Sequence, residues 1–152
     1  MRKPYFQSDP ASPAPLQLTL QRQVRFEEVD SMGIVWHGRY ISYFEEARVA
    51  LGNKYGVGYS DFIQNQTPVP IRQVSVDHLE PLFFEDTIEI DAILHWTEAA
   101  RINFEYKIRK DGNVVCSGHT IQLMLDTNFE LLLAPPPFYT EFMEKWKKGL
   151  LD

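Results

Sequence analysis

The feature that most constrains this chain is a predicted helix that is apolar around most of its circumference. Its apolar residues recur at helical spacing, and they are Tyr40, Ile41, Tyr43, Phe44, Ala47, Ala50 and Leu51. A helix with so little polar surface is normally enclosed by other structure, because water would otherwise contact its apolar side chains. We therefore expect a long central helix that begins at about His37 to Arg39 and ends near Gly52.

The residues just before this helix predict a sharp turn that brings an acid back to the helix start. Aspartate favours turns because its side chain bonds its own backbone, and Gly33 can adopt the φ that a bend requires. The first N–H groups of a helix have no intrahelical partner and bind negative charge. With Asp30 folded back toward His37, an acid and an anion-binding site would lie together, as acyl transfer requires.

Five further segments predict strands, and the first, third and fourth alternate cleanly between apolar and polar residues, as strands with one buried face do. They are residues 16–26, 69–79, 87–96, 101–110 and 114–126. The apolar face of the first comprises Leu18, Leu20, Val24 and Phe26. Pro70 restricts the second segment to a strand start or a sheet edge. Asp111-Gly112-Asn113 predicts a hairpin turn, and Gly118 beside Ser117 suggests burial on both faces or a bulge.

One strand, a long helix and four strands joined by short turns predict an α+β fold, in which an antiparallel sheet of about five strands wraps around the helix. Residues 1–15 are rich in proline and predict a flexible N-terminal arm, free or laid over a neighbour. Residues 16–152 are expected to form a single domain. A short amphipathic C-terminal helix is predicted from apolar residues at helical spacing, which are Phe138, Phe142, Met143, Trp146 and Leu150.

Charge and cysteine content exclude several classes of protein. The net charge is -6, and no basic cluster is longer than Lys147-Lys148, which argues against nucleic acid as a partner. Cys116 is the only cysteine, so no intramolecular disulfide and no thiolate zinc site can form. The sequence contains neither an apolar run of membrane-spanning length nor the apolar core of a signal peptide. We therefore expect a cytoplasmic protein without membrane insertion.

The turn and the helix start together resemble the hotdog-fold acyl-CoA thioesterases of the 4-hydroxybenzoyl-CoA thioesterase-like family. That family carries Asp-x-x-Gly-[Ile/Val]-Val-x-[His/Tyr] just after its first strand, and this chain reads Asp30-Ser-Met-Gly-Ile-Val-Trp-His37. Gln23-Val24 precedes the motif and Gly38-Arg-Tyr40 follows it, as in the family. Val29 departs from the usual Thr or Cys, at a packing position. With less specificity, the resemblance extends over roughly residues 16–145.

The resemblance implies hydrolysis of an acyl-CoA thioester to free acid and CoA. Asp30 would act as nucleophile or as general base toward water, and the backbone N–H of His37 would bind the thioester oxygen. The His37 ring would orient Asp30, the water or the substrate. Further residues expected at the substrate are Gly33, Val35, Trp36, Gly38 and Tyr40. No metal is implied, and no cofactor, since CoA is part of the substrate. A homodimer or homotetramer is expected, because family pockets form between subunits.

Several other polar residues have a structural interpretation beside a functional one. Glu45 and Glu46 fit a solvated helix face with an i,i+3 pair to Arg48, although another hotdog branch uses a helix glutamate. Asp77-His78 makes a poor dyad, because neighbours on a strand point to opposite faces. Histidines expected at a surface or interface are His95 and His119. Candidates for the CoA phosphates, by charge alone, are Arg72, Arg101, Lys107 and Arg109.

Two other functions remain open at this point. A hotdog hydratase or dehydratase would need a histidine and a carboxylate placed jointly for proton transfer at the α-carbon of the thioester. A non-catalytic module would bind the acyl thioester without consuming it. The acyl group is not fixed by the sequence, because aromatic residues that suit an acyl pocket also suit a core. Those residues are Trp36, Tyr40, Phe62, Phe83 and Phe84.

Overall fold

The computed structural model describes residues 3–152, which form one five-stranded antiparallel sheet and three α-helices. In chain order the elements are β1 (Leu16–Gln23), a 3₁₀ turn (Phe26–Glu28), α1 (Arg39–Tyr55), α2 (Tyr59–Gln64), β2 (Ile71–His78), β3 (Thr87–His95), β4 (Arg101–Lys110), β5 (Asn113–Leu123) and α3 (Pro137–Lys147). The strand order is β1-β3-β4-β5-β2. This architecture confirms the predicted α+β fold with an antiparallel sheet of about five strands around a long helix.

Helix α1 lies against the inner face of the sheet and has a fully buried stripe. Tyr43, Phe44 and Leu51 are each at most 1% exposed, and the Phe44 ring stacks on Tyr106 of β4 with 4.5 Å between ring centroids. Gly118 of β5 makes this approach possible, because a Cβ there would lie 2.6 Å from the Phe44 ring and would clash with a β2 carbonyl oxygen. Gly118, the small residue predicted on β5, therefore allows helix α1 to pack closely against the sheet.

Local sequence rules account for the hairpin turn between β4 and β5 and for the position of β2 at the sheet edge. Asp111 and Gly112 both have positive φ, 51° and 80°, as the two central residues of a type I′ hairpin do. Lys110 pairs with Asn113 across this turn. Strand β2 follows Pro70 and lies at the sheet edge, where the missing proline N–H costs no ladder bond. Both predictions are confirmed.

The structure corrects the predicted ends of α1 and β1, and it also shortens β2 to Ile71–His78 and ends β5 at Leu123. Helix α1 continues past Gly52 to Tyr55, and Gly56 ends it in the left-handed conformation with φ 73°. Gly52 instead permits a close backbone approach, since a Cβ there would lie 3.1 Å from the Cα of Gly58. Strand β1 ends at Gln23, and Phe26 lies in the 3₁₀ turn with 75% of its surface exposed, so it does not continue the apolar face.

The outer face of the sheet, opposite α1, is contacted by the N-terminal arm. The Tyr5 ring stacks on His119 with 3.8 Å between centroids, and the Phe6 ring lies 5.1 Å from the His95 ring. His119 is consequently buried, which corrects the expectation of a surface or interface histidine. Burial lowers the pKa of His119, although nearby carboxylates oppose the shift.

Helix α3 forms as predicted and packs its apolar side on the rest of the chain. Its buried residues are Tyr139, Phe142, Met143 and Trp146. The Trp146 indole N–H donates to the carbonyl oxygen of Ala14 at 2.9 Å, which joins the C-terminal helix to the N-terminal arm. Leu150 follows the helix and is exposed. Among residues 3–152, no helix combines the length and the apolar run needed to cross a membrane.

Candidate active site

The segment between the 3₁₀ turn and α1 folds back as the sequence predicts. The Gly33 N–H donates to the Asp30 carbonyl at 3.0 Å, and the Asp30 N–H donates to the Ile34 carbonyl at 2.8 Å. Gly33 has φ +80°, which an L side chain rarely adopts. The Asp30 Oδ1 accepts the Met32 N–H at 2.8 Å, so the carboxylate itself closes the turn.

Backbone hydrogen bonds attach the second half of this segment to the neighbouring 3₁₀ turn and to the loop at Leu82. The Val35 N–H donates to the Leu82 carbonyl at 2.8 Å, and the Trp36 N–H donates to the Glu28 carbonyl at 3.0 Å. The Arg39 N–H returns to the Trp36 carbonyl at 2.9 Å, where α1 begins. The helix start is thereby fixed relative to the turn.

Beneath the segment lies the Glu28 cluster, formed by Glu28, Arg22, Tyr43 and the backbone of Arg25. The Glu28 Oε1 accepts from the Arg22 guanidinium at 2.6 Å, the Arg25 N–H at 2.8 Å and the Tyr43 hydroxyl at 3.1 Å. Burial alone would raise the pKa of Glu28, but these donors together hold that pKa below its ordinary value. Glu28 is therefore ionised, and its ion pair and hydrogen bonds connect β1, the 3₁₀ turn and α1.

The Asp30 cleft opens where the turn, the start of α1 and the end of β2 meet, and its volume is about 310 Å³. Its lining residues are Asp30, Ile34, Val35, His37, Tyr40, His78, Leu79, Glu80 and Pro81. Four residues of the predicted site are thus brought together, and they are Asp30, Val35, His37 and Tyr40. The other three do not line the cleft: Gly33 lies in the turn, and Trp36 covers Gly38.

Two backbone N–H groups at the helix start are available to a ligand. Within residues 3–152, neither the His37 nor the Gly38 N–H donates a hydrogen bond. A Cβ at Gly38 would clash with the Trp36 ring where it lies, so a larger residue here would displace that ring. Because Asp30 and His37 both line the cleft, the helix start combines a carboxylate with the unpaired His37 N–H there, and such donors stabilise an oxyanion.

Tyr40 forms the inner wall of the cleft. It is 3% exposed, and burial raises the pKa of its phenol, although a hydrogen bond with the Leu82 backbone opposes the shift. The ring is therefore neutral at ordinary pH and offers an apolar surface. Phe62, another aromatic candidate for an acyl pocket, packs beneath α3 at 5.1 Å from the Phe138 ring and belongs to the core.

His78 lines the cleft and was not predicted as a site residue. It is the last residue of β2, and its Nε2 lies 3.3 Å from the His37 carbonyl oxygen. Asp77 is not among the lining residues. Strand alternation was the signal that separated the pair, but only the position of β2 in the sheet reveals which of the two reaches the helix start.

The remaining charged candidates lie outside the cleft. Glu45 pairs with Arg48 at 3.2 Å in the expected i,i+3 arrangement, and Glu46 pairs with Arg22 at 2.8 Å. Arg109 is engaged by Asp91 at 2.8 Å. In the described part of the chain, no group of three or more His, Cys, Asp or Glu residues could hold a metal ion.

Comparison with known proteins identifies the family of this chain. The model of the thioesterase-like superfamily matches residues 24–146. A putative esterase of Aquifex aeolicus is 30% identical over 105 residues, which cover 69% of this chain and 82% of that protein. A putative acyl-CoA thioesterase of Bacillus subtilis, YneP, is 34% identical over 77 residues, which cover 50% and 53% of the two chains.

A solved structure supports the same fold. The DHNA-CoA thioesterase of Staphylococcus aureus superposes with a TM-score of 0.76 at 22% identity, covering 85% of this chain and 89% of that one. At this identity the match is to the fold. The chain belongs to the thioesterase-like superfamily and has the hotdog fold.

Proposed function

We propose that the protein hydrolyses acyl-CoA thioesters to free acid and CoA at the Asp30 cleft. The observation that carries this proposal is that Asp30 and His37 line one cleft, while the His37 N–H at the start of α1 has no partner within residues 3–152. A carboxylate beside preorganised donors suits attack on a thioester carbonyl. CoA is part of the substrate, so the reaction needs no separate cofactor.

Two routes use the same groups. In one, the Asp30 carboxylate attacks the thioester carbonyl, CoA leaves as the thiolate, and water then hydrolyses the mixed anhydride. In the other, Asp30 takes a proton from a water molecule whose oxygen attacks the carbonyl. Either route places negative charge on the carbonyl oxygen, and the His37 N–H would donate to it. The His37 ring would orient Asp30, the water or the substrate.

The walls of the cleft support an apolar acyl group beside the carboxylate. Val35 and Tyr40 are buried, and Leu79 and Pro81 also line the cleft. The Trp36 ring lies over Gly38 at the helix start and is half exposed. Substrate contact is proposed for Val35, Trp36, Gly38 and Tyr40, and Gly33 is proposed to serve the substrate site indirectly, through the turn that carries Asp30.

The test is thiol release from aromatic, short-chain and long-chain acyl-CoAs by the wild type and Asp30→Asn. Asparagine keeps a side-chain oxygen for the Met32 N–H, so the turn should persist while the charge is lost. We expect turnover to fall by about 100-fold or more. Glu45→Gln is the matched control, since Glu45 lies outside the cleft, and it should retain activity.

Retained turnover in Asp30→Asn would contradict the assigned mechanism. A change in enoyl absorbance without thiol release would favour the hydratase or dehydratase. Stoichiometric binding of acyl-CoA without turnover would favour the non-catalytic module.

Assembly into a homodimer or homotetramer is proposed as well. Strand β2 lies at the sheet edge, and its side chains Ile71 and Val74 are 39% and 40% exposed. An exposed strand edge with apolar side chains favours pairing with another chain. Light scattering should give twice or four times the 17.7 kDa of one chain, and a mass of one chain would contradict the proposal.

A further inference from the structure

His78 contacts the helix start from a strand that the sequence motif does not include. It lies at the end of β2, and its exposed side chain lines the Asp30 cleft. The titratable groups that share the cleft with it are Asp30, His37, Tyr40 and Glu80. Its position raises the question of what its ring does there.

The contacts of the ring define its donor atom. Nε2 lies 3.3 Å from the His37 carbonyl oxygen, and a carbonyl oxygen only accepts, so Nε2 carries the proton and donates. The Tyr40 ring meets the His78 ring edge to face, with centroids 4.7 Å apart and planes at 89°.

The bond acts on the peptide that begins α1. The peptide between His37 and Gly38 is planar and trans, so its C=O and N–H groups point in opposite directions. Fixing the His37 carbonyl therefore fixes the direction of the Gly38 N–H. On the other side, the Trp36 N–H donates to the Glu28 carbonyl at 3.0 Å and the Trp36 carbonyl accepts from the Arg39 N–H at 2.9 Å. His37 is thus held from both sides while its own N–H stays unpaired within residues 3–152.

We propose that His78 is a positioning residue, whose Nε2–H holds the His37 carbonyl, fixes the direction of the Gly38 N–H, and keeps the His37 backbone in place beside Asp30, where the His37 N–H would donate to the thioester oxygen. The role rests on the proposed function, since the oxyanion belongs to that reaction. His78 acts through the backbone, and it transfers no proton in this role.

The experiment compares His78→Gln with His78→Leu. Glutamine can place an amide N–H near the position of Nε2, whereas leucine removes the donor at similar bulk. For His78→Leu we expect kcat to fall by about tenfold with KM within about twofold, because an oxyanion donor is misaligned rather than removed. His78→Gln should stay within about threefold of the wild type and keep its rate profile between about pH 5.5 and 8.5. Equal losses in both variants, with the profile altered, would overturn the positioning role.

A second measurement does not depend on turnover. The amide resonances of His37 and Gly38 should shift in His78→Leu and move less in His78→Gln, while thermal stability stays near that of the wild type because the side chain is exposed. Unchanged resonances in His78→Leu, with intact turnover in the wild type, would overturn the role of His78 alone. Absence of turnover in the wild type would overturn the proposed function and the oxyanion role with it.

Discussion

Glu28 and Asp30 lie two residues apart in the chain and in opposite surroundings. Glu28 is 6% exposed, and one of its oxygens accepts from Arg22, Tyr43 and a backbone N–H. Asp30 is half-buried in the wall of a cleft, and within residues 3–152 its carboxylate accepts only the Met32 N–H. Glu28 therefore uses its hydrogen-bonding capacity to stabilise the fold. Asp30 keeps lone pairs that can accept hydrogen bonds from a ligand.

The largest expected contrast comes from removing each carboxylate in turn. Glu28→Ala should lower the free energy of unfolding by about 3 kcal/mol, because it leaves the largely buried Arg22 guanidinium with Glu46 as its remaining ion-pair partner. Asp30→Asn should leave the free energy of unfolding nearly unchanged and remove turnover. Urea unfolding and thiol release measure the two quantities separately.

Glu46→Ala is the control for this contrast. Glu46 also pairs with Arg22, but its side chain is 41% exposed, so its loss should cost less than about 1 kcal/mol. A cost equal to that of Glu28→Ala would mean that burial does not distinguish the two partners of Arg22.

A smaller effect is expected from Tyr43→Phe, which removes one donor to Glu28 and keeps the buried ring. The lost hydroxyl lies 3.1 Å from Glu28, and its hydrogen bond to a charged acceptor should contribute about 1 to 2 kcal/mol of unfolding free energy. Thermal unfolding of the purified variant provides the measurement. Because Tyr43 does not line the Asp30 cleft, KM should stay unchanged, and a raised KM would show that the two regions are coupled.

The smallest effect concerns pH. The pKa of Glu28 is lowered in the folded protein, so its stabilisation is complete above the unfolded pKa of about 4.3 and is lost as pH falls through the folded pKa. The free energy of unfolding should therefore decline between about pH 5 and pH 3. Glu28→Gln should flatten this decline in urea titrations, but not abolish it, since the pKa values of Asp91 and Glu105 are also lowered. If the decline of unfolding free energy with falling pH were unchanged in Glu28→Gln, Glu28 would not contribute to the loss of stability in acid.

Sequence was informative where local rules decide the structure. The hairpin at Asp111-Gly112 and the turn at Asp30 to Gly33 depend on positive φ and on side chains that bond the neighbouring backbone. The period of the apolar residues predicted the bounds of β4 as the structure has them, because each of its faces meets a different environment.

The features that local sequence patterns did not predict depend on contacts between residues distant in sequence. Gly52 resembles a helix stop until the approach of Gly58 is known. Glu28 resembles an ordinary surface acid, since Arg22 and Tyr43 reach it from other elements. His78 follows the motif by about 40 residues and meets His37 only because β2 ends beside the start of α1. Such contacts are set by tertiary packing and leave no periodic signal in the sequence.

Gly118 has a consequence for the far end of the helix. Because Gly118 has no side chain, the Phe44 ring can pack against the sheet. Phe44 lies two turns of helix, roughly 10 Å, from His37. A helix behaves as a stiff rod over such a length, so a displacement at Phe44 would tilt the end that carries the unpaired N–H groups. We therefore expect the absence of a side chain at Gly118 to affect the alignment of the N–H groups two helical turns away.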